Sequence, residues 1–221
     1  MDKRNPFLSV LFTVAIVILT ITFSIGLPIY VRPFYYAHIP SIQKEFKEEI
    51  DVTLEWDYIQ DAYDEVLDFL VLSDREFGTG ELPYSEEGKG HFEDCKILFD
   101  LNKYALIVSF AVVAVLFIAD KLGIIKLARP AGLPLSFWAG LGTLLLFATL
   151  AVAVAKDFST AFEIFHKIFF PGKDNWMFDP SEDPIIFFMP QRFFRNCAIL
   201  ICASILIISV RNIIRGIKKK D

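Results

Sequence analysis

Charge-free runs of residues organise this chain. Residues 6–31 contain no Asp, Glu, Lys or Arg, and a hydrocarbon core about 30 Å thick needs roughly 20 such residues in a helix. Three more runs follow, at 104–119 between Lys103 and Asp120, at 133–155, and at 196–210 between Arg195 and Arg211. The second and fourth are short and need flanking side chains that snorkel. Irregular backbone cannot face lipid, so the runs predict four transmembrane helices.

Between the runs, polar residues return with a helical period. Leu54, Tyr58, Ala62, Val66 and Leu70 recur every four residues among Asp and Glu, with Thr53 able to cap the start. Ile39, Ile42, Phe46 and Ile50 predict a shorter helix before it. Another begins at Ser85, where Glu86 and Glu87 suit the positive end of the dipole, and runs through His91 and Phe99 into the second span. Phe158, Phe162, Phe165 and Phe169 predict a helix that continues the third span outward. In the third span, Gly132, Ser136 and Gly140 lie four apart and allow another helix to approach closely, read as packing within one monomer.

Composition agrees with a membrane protein. Of 221 residues 54% are hydrophobic, 23 are Phe and 22% are charged, leaving too little polar side chain to cover a soluble domain. With 3 Cys, 11 Gly and 11 Pro, a cysteine-stapled, collagen-like or disordered chain is excluded. The first run exceeds a normal signal-peptide core, and Phe23-Ser24-Ile25-Gly26 offers no small-x-small cleavage site, so it reads as a retained anchor.

The net charge of −5 becomes informative when divided by position. The termini and the segment between the second and third runs hold ten Lys/Arg against three Asp/Glu, a balance of +7. Segments 32–103 and 156–195 hold twelve against 24, a balance of −12. By the positive-inside rule both termini are cytoplasmic and the two segments, about 110 residues together, are external. That is too much chain for simple connections. The expectation is an all-α integral membrane protein, four transmembrane helices with a mostly helical extracellular cap. Its parts are a cytoplasmic N-terminus and first helix (1–31), a cap loop (32–103), the second and third helices (104–155), a second external segment (156–195), and the fourth helix with a basic tail (196–221).

Familiar catalytic motifs are absent. Gly78-Thr79-Gly80 is no dinucleotide fingerprint, and Gly88-Lys89 has Pro83 where a phosphate loop needs its first glycine. Histidine is the remaining lead: His38, His91 and His166 all fall in the external segments. Asp94 follows His91 by one turn and could orient its ring. His166 lies in a Phe-rich stretch, where a low dielectric favours a neutral imidazole able to accept a proton near pH 7. Each could instead be a hydrogen-bonded structural histidine, which is the reading kept for His38.

Cys95, four residues after His91, could be a nucleophile with its base or a small buried residue. Cys197 and Cys202 read as packing residues. A zinc site from His91, Asp94 and His166 is thin in ligands. Residues 158–194 carry ten Phe and Trp176, interleaved with Asp174, Asn175, Asp179, Asp183, Arg192 and Arg195. They form either an interfacial aromatic belt or a pocket for acyl chains and headgroups.

Both histidine contexts resemble the bacterial lipoprotein intramolecular transacylases, the Lit family. The first match is Ser85-Glu86-Glu87-Gly88-Lys89-Gly90-His91-Phe92-Glu93-Asp94-Cys95-Lys96. The second is Phe165-His166-Lys167-Ile168-Phe169-Phe170, Asn175-Trp176, Phe178-Asp179-Pro180, Asp183, Ile185-Ile186, Pro190 and Phe193-Phe194. The four-span layout is similar too. Cys95 departs from the pattern, which has a small aliphatic residue there.

The resemblance implies an enzyme of the bacterial plasma membrane, active at the boundary of cap and membrane. It would move an acyl chain from the sn-2 oxygen of a diacylglyceryl lipoprotein to the α-amino group of that lipoprotein's N-terminal cysteine. His91 and His166 would be catalytic, with His166 as base and His91, beside Asp94, as the charged or donating partner. Glu87, Phe92, Asp94, Phe165, Phe169, Trp176, Asp183 and Arg192 would support or bind substrate. No cofactor, metal or nucleic acid is expected; the partners are the bilayer and the lipoprotein within it, met by a monomer. The competing reading is a non-catalytic membrane protein with a partner-binding extracellular cap. A transporter is disfavoured, because no span carries a charge.

Overall fold

The structure is a computed structural model that describes residues 4–47 and 54–218, the side chains of 150, 153 and 154 excepted. Among the described residues there is no strand, only a lone bridge between Thr79 and Glu81. The helices are α1 Pro6–Tyr30, α2 Arg32–Tyr36, α3 Ile39–Glu45, α4 Trp56–Val71, α5 Glu86–Lys121, α6 Leu135–Lys156, α7 Phe158–Phe169, α8 Ile185–Phe188 and α9 Gln191–Lys218. They divide into two units. One comprises Met1–Gly26, Asn102–Ala155 and Leu200–Asp221; the other comprises Leu27–Leu101 and Lys156–Ile199.

The first unit is the apolar one. Among the described residues α1, α5 and α9 are long and apolar enough to cross a membrane, and α6 has a shorter apolar stretch, Leu135–Thr149. Val14, Ile107, Phe110, Leu145 and Ile207 point outward, as lipid rather than water requires. Hydroxyls in these helices turn back onto the preceding turn, with Thr13 donating to the Ser9 carbonyl, Thr20 to Ile16 and Thr143 to Ala139, each at 2.8 Å. Such bonds remove donors that hydrocarbon could not satisfy. Helices α6 and α9 meet at glycines: a Cβ on Gly140 would lie 2.8 Å from the Ser209 carbonyl oxygen, and one on Gly216 would lie 2.7 Å from Cβ of Phe137. Of the expected small-residue seam, Gly140 supplies the close approach. Gly132 does not, because it precedes α6 at φ +76° with nothing within 4 Å.

The second unit has a conventional core. Ile39 and Ile42 of α3, Ile59, Tyr63 and Leu67 of α4, and Ile185 and Phe188 of α8 bury together, each contributing about 1.5–3 kcal/mol from its apolar area. The expected α4 stripe is present, with Ala62, Val66 and Leu70 buried, but Leu54 precedes the helix. Glu55 occupies the cap position without a side-chain cap bond; Thr53 and Ile50 lie outside the described residues. Tyr63 donates its hydroxyl to the Phe188 carbonyl, and Arg32 pairs with Asp64 and Asp68, tying α2 and α8 to α4.

One expected element is corrected. Helix α7 does not continue α6, because Asp157 adopts an extended backbone (φ −151°, ψ 92°). Its carboxylate accepts from the Thr160 N–H at 3.1 Å and hydroxyl at 2.6 Å. An N-cap of this kind starts a new helix where the apolar periodicity alone suggested an unbroken one.

Candidate active site

All contacts of the site fall within the second unit, and Ser85 starts it. Its Oγ accepts from the Gly88 N–H at 2.9 Å, which caps α5. Buried Asp183 in turn receives the Ser85 N–H at 2.8 Å and the Ser85 hydroxyl at 2.7 Å. Gly88 is obligatory here: a Cβ would lie 2.2 Å from Oδ1 of Asp183. The Gly88-Lys89 pair that superficially suggested phosphate thus accommodates a carboxylate of the same chain. Glu87 is exposed in the first turn of α5.

One turn on, His91 is 8% exposed, and on α7 His166 is 5% exposed. Their ring centroids are 5.7 Å apart at 33°. The connection after α7 folds over them: Phe170 packs edge-on to His91 at 5.0 Å, Phe178 lies 5.6 Å from it, and Trp176 stacks on His166 at 4.3 Å and 26°. Nδ1 of His166 is 2.7 Å from the Phe162 carbonyl oxygen. A carbonyl only accepts, so Nδ1 carries the proton and the Nε2 lone pair is free. Nε2 of His91 lies 3.5 Å from Sγ of Cys95, and its Nδ1 is buried with no partner.

Burial, the nearby His166 and then Lys173 push His91 down to about 4, against Asp94, which raises it. Burial also lowers His166, opposed by its bond to the Phe162 carbonyl. Both rings are therefore neutral at pH 7. Of the two roles expected for His91, charged or donating, the neutral ring fits the donating one.

Asp94 is also corrected: it does not orient the His91 ring. Lys173 Nζ donates to both its oxygens at 2.6 and 2.7 Å, and Asn175 Nδ2 donates to one at 3.4 Å. The three intended zinc ligands accordingly do not converge; among the described residues no group of three or more His, Cys, Asp or Glu could hold a metal ion. Phe92 is buried and stacked on Phe77 at 5.1 Å. Phe165 and Phe169 lie side by side at 4.7 Å on the exposed side of α7. Arg192 pairs through Nη1 with Glu45 of α3, while its Nε and Nη2 are buried without a partner. His38 is satisfied at both nitrogens, donating from Nδ1 to the Phe34 carbonyl at 2.7 Å and accepting from Asn196 at 3.0 Å. Lys173 and Phe170 carry no spacing signal toward His91, because a turn with Gly172 at φ +75° brings them back.

Burial pushes the Cys95 thiol up to about 12, so the sulfur is not a thiolate. Cys95→Val is expected to retain activity within about fivefold, the scale of a weak S–H donor; an inactive folded variant would restore the thiol mechanism.

The depressed His91 value also predicts acid sensitivity. A histidine lowered from 6.5 to about 4 on folding binds more protons unfolded than folded between those values. Stability therefore rises with pH through that window and is lost as pH falls toward 4. The effect is at most about 3 kcal/mol. Unfolding midpoints of the detergent-solubilised protein between pH 7 and 5 are expected to fall less in His91→Phe than in the parent. Equal slopes would refute the buried neutral state.

The sequence model of the family described as "Lipoprotein intramolecular transacylase Lit" matches residues 10–194. A solved structure of the membrane-integral lipoprotein intramolecular transacylase Lit from Bacillus cereus is 22% identical, with a TM-score of 0.83, covering 96% of this chain and 94% of that one. A second structure of that protein, carrying a histidine-to-arginine mutation, is 21% identical with a TM-score of 0.75 over 96% and 90%. A third, carrying a histidine-to-alanine mutation, is 22% identical with a TM-score of 0.74 over 97% and 94%. No curated protein matches.

Proposed function

Because the chain belongs to the lipoprotein intramolecular transacylase Lit family, we propose that it moves the sn-2 acyl chain of a diacylglyceryl lipoprotein onto the α-amino group of that lipoprotein's N-terminal cysteine. The observation that carries this reading is the pair of neutral imidazoles 5.7 Å apart, a gap that admits one reacting centre within hydrogen-bond reach of both. Donor ester and acceptor amine belong to one molecule, so positioning replaces much of the barrier and no enzyme nucleophile is needed.

The free Nε2 of His166 takes a proton from the amine as its nitrogen bonds to the ester carbonyl carbon. His91, whose Nδ1 is buried without a partner, donates from Nδ1–H to the tetrahedral oxyanion. Collapse breaks the bond from that carbon to the glyceryl oxygen, and His166 returns its proton there. The products are an amide and a free sn-2 hydroxyl. Asp183 and Ser85 position His91 through the start of α5, Trp176 holds His166, and exposed Phe165 and Phe169 offer apolar surface to acyl chains.

The charge partition supports four spans with both termini cytoplasmic and segments 32–103 and 156–195 outside a bacterial plasma membrane. In that frame residues 1–31, 104–155 and 196–221 carry the spans and inner segments. The protein acts as a monomer on lipoprotein within the bilayer.

The test is direct. Transfer is an isomerisation, so the intact mass of a diacylglyceryl-cysteinyl peptide is unchanged. Fragmentation by mass spectrometry should locate one acyl group on nitrogen, and mild alkali should remove the remaining ester but not the amide. Absence of amide with purified, folded protein would defeat the proposal.

A further inference from the structure

Two buried polar atoms lack partners on the segments that carry and cover the imidazole pair, Nδ1 of His91 and Oδ1 of Asn175, the residue before Trp176. The oxyanion accounts for the first. The second is an acceptor, and the reaction brings one further donor. An amine attacking a carbonyl gives one proton to the base and keeps another N–H that must point somewhere.

Asn175 is placed to receive it. The residue adjoins Trp176, which stacks on His166, and its Nδ2 lies 3.7 Å from where a Cβ on Gly90, the neighbour of His91, would stand. Its orientation is set by chemistry. The 3.4 Å contact to Asp94 Oδ2 requires the NH2 end, because a carboxylate only accepts, and this leaves Oδ1 turned away and unfilled. Asp94 itself is occupied by Lys173. A neutral amide has a further advantage over a carboxylate at this point: it accepts from an amine without favouring the unreactive ammonium.

Building on the transacylase reading above, we propose that Asn175 binds the substrate amine, its Oδ1 accepting an α-amino N–H of the cysteine while His166 removes the other proton. The side chain is thus a determinant of specificity for a free N-terminus.

The experiment compares a synthetic diacylglyceryl-cysteinyl peptide having a free α-amine with its N-acetyl counterpart as competitor, in the same detergent micelles. Within one protein preparation the ratio of the two apparent affinities does not depend on the folded fraction. The parent should prefer the free amine, and Asn175→Ala should lose about tenfold of that preference, the scale of one buried hydrogen bond. Asn175→Asp keeps an acceptor but adds charge. It should retain the preference while its rate profile shifts to higher pH, because the carboxylate holds the ammonium. A parent-like ratio in Asn175→Ala overturns the proposal, as does an equal loss in both variants, which is what a purely structural contact to Asp94 would give. If the parent protein forms no amide from the free-amine peptide, the transacylase reading fails instead, whatever Asn175 does.

Discussion

His166→Ala is expected to abolish amide formation, with a fall of about 10²–10⁴-fold in the rate, the usual worth of a positioned general base. The argument rests on the tautomer. Nδ1–H is committed to the Phe162 carbonyl, and the ring is clamped between Phe162 and Trp176, so only Nε2 can take the amine proton. Burial lowers its pKa, and a lowered base stays unprotonated to a more acid pH than free histidine. The parent rate should therefore fall with pH only as the substrate amine, ordinarily titrating at about 8, takes up a proton, with no further loss from His166 until below the free-histidine value. Single-turnover formation of N-acyl peptide, followed by mass spectrometry across pH 5 to 8, reads both effects. A His166→Ala protein that still forms amide at the parent rate would remove the base from the mechanism.

His91→Ala is expected to cost about 10²–10³-fold, the scale of one oxyanion donor in a dry site. Here the expected signature differs, because His91 titrates near 4 and acts as a neutral donor. Its loss should lower the rate without moving the pH at which the rate declines. The double variant should be little worse than His166→Ala alone, since groups serving one transition state are not additive. Additive losses would mean that the rings act at separate places. His91→Phe gives a packing control, keeping bulk against Phe170 and Phe178 while deleting the donor.

What could be read from the sequence follows the range of the interactions concerned. Apolar runs and four-residue periods are local, so α1, α4 and the start of α5 at Ser85 were legible, as were the two histidines. Asp94 misled for the same reason. Spacing offered His91 as its neighbour, while Lys173, 79 residues away, captured the carboxylate in the folded chain. Asp183 was visible only as an isolated acid, yet 98 residues of separation close onto Ser85. Arg192 reads as a substrate contact in sequence, and only the fold shows Glu45 beside its Nη1. Membership of a periodic stripe is encoded within a few residues; a partner for a charge is decided by the fold.

The protonated, buried Cys95 thiol bears on how such an enzyme could be blocked. On the proposed mechanism catalysis passes through two uncharged rings with no acyl-enzyme, so reagents that label activated serines or cysteines have no catalytic target. Electrophilic warheads should leave Cys95 unmarked. A useful inhibitor would be a non-reactive tetrahedral mimic on a lipid backbone, a phosphonate for instance, offering an anionic oxygen to Nδ1 of His91 and a donor to Nε2 of His166.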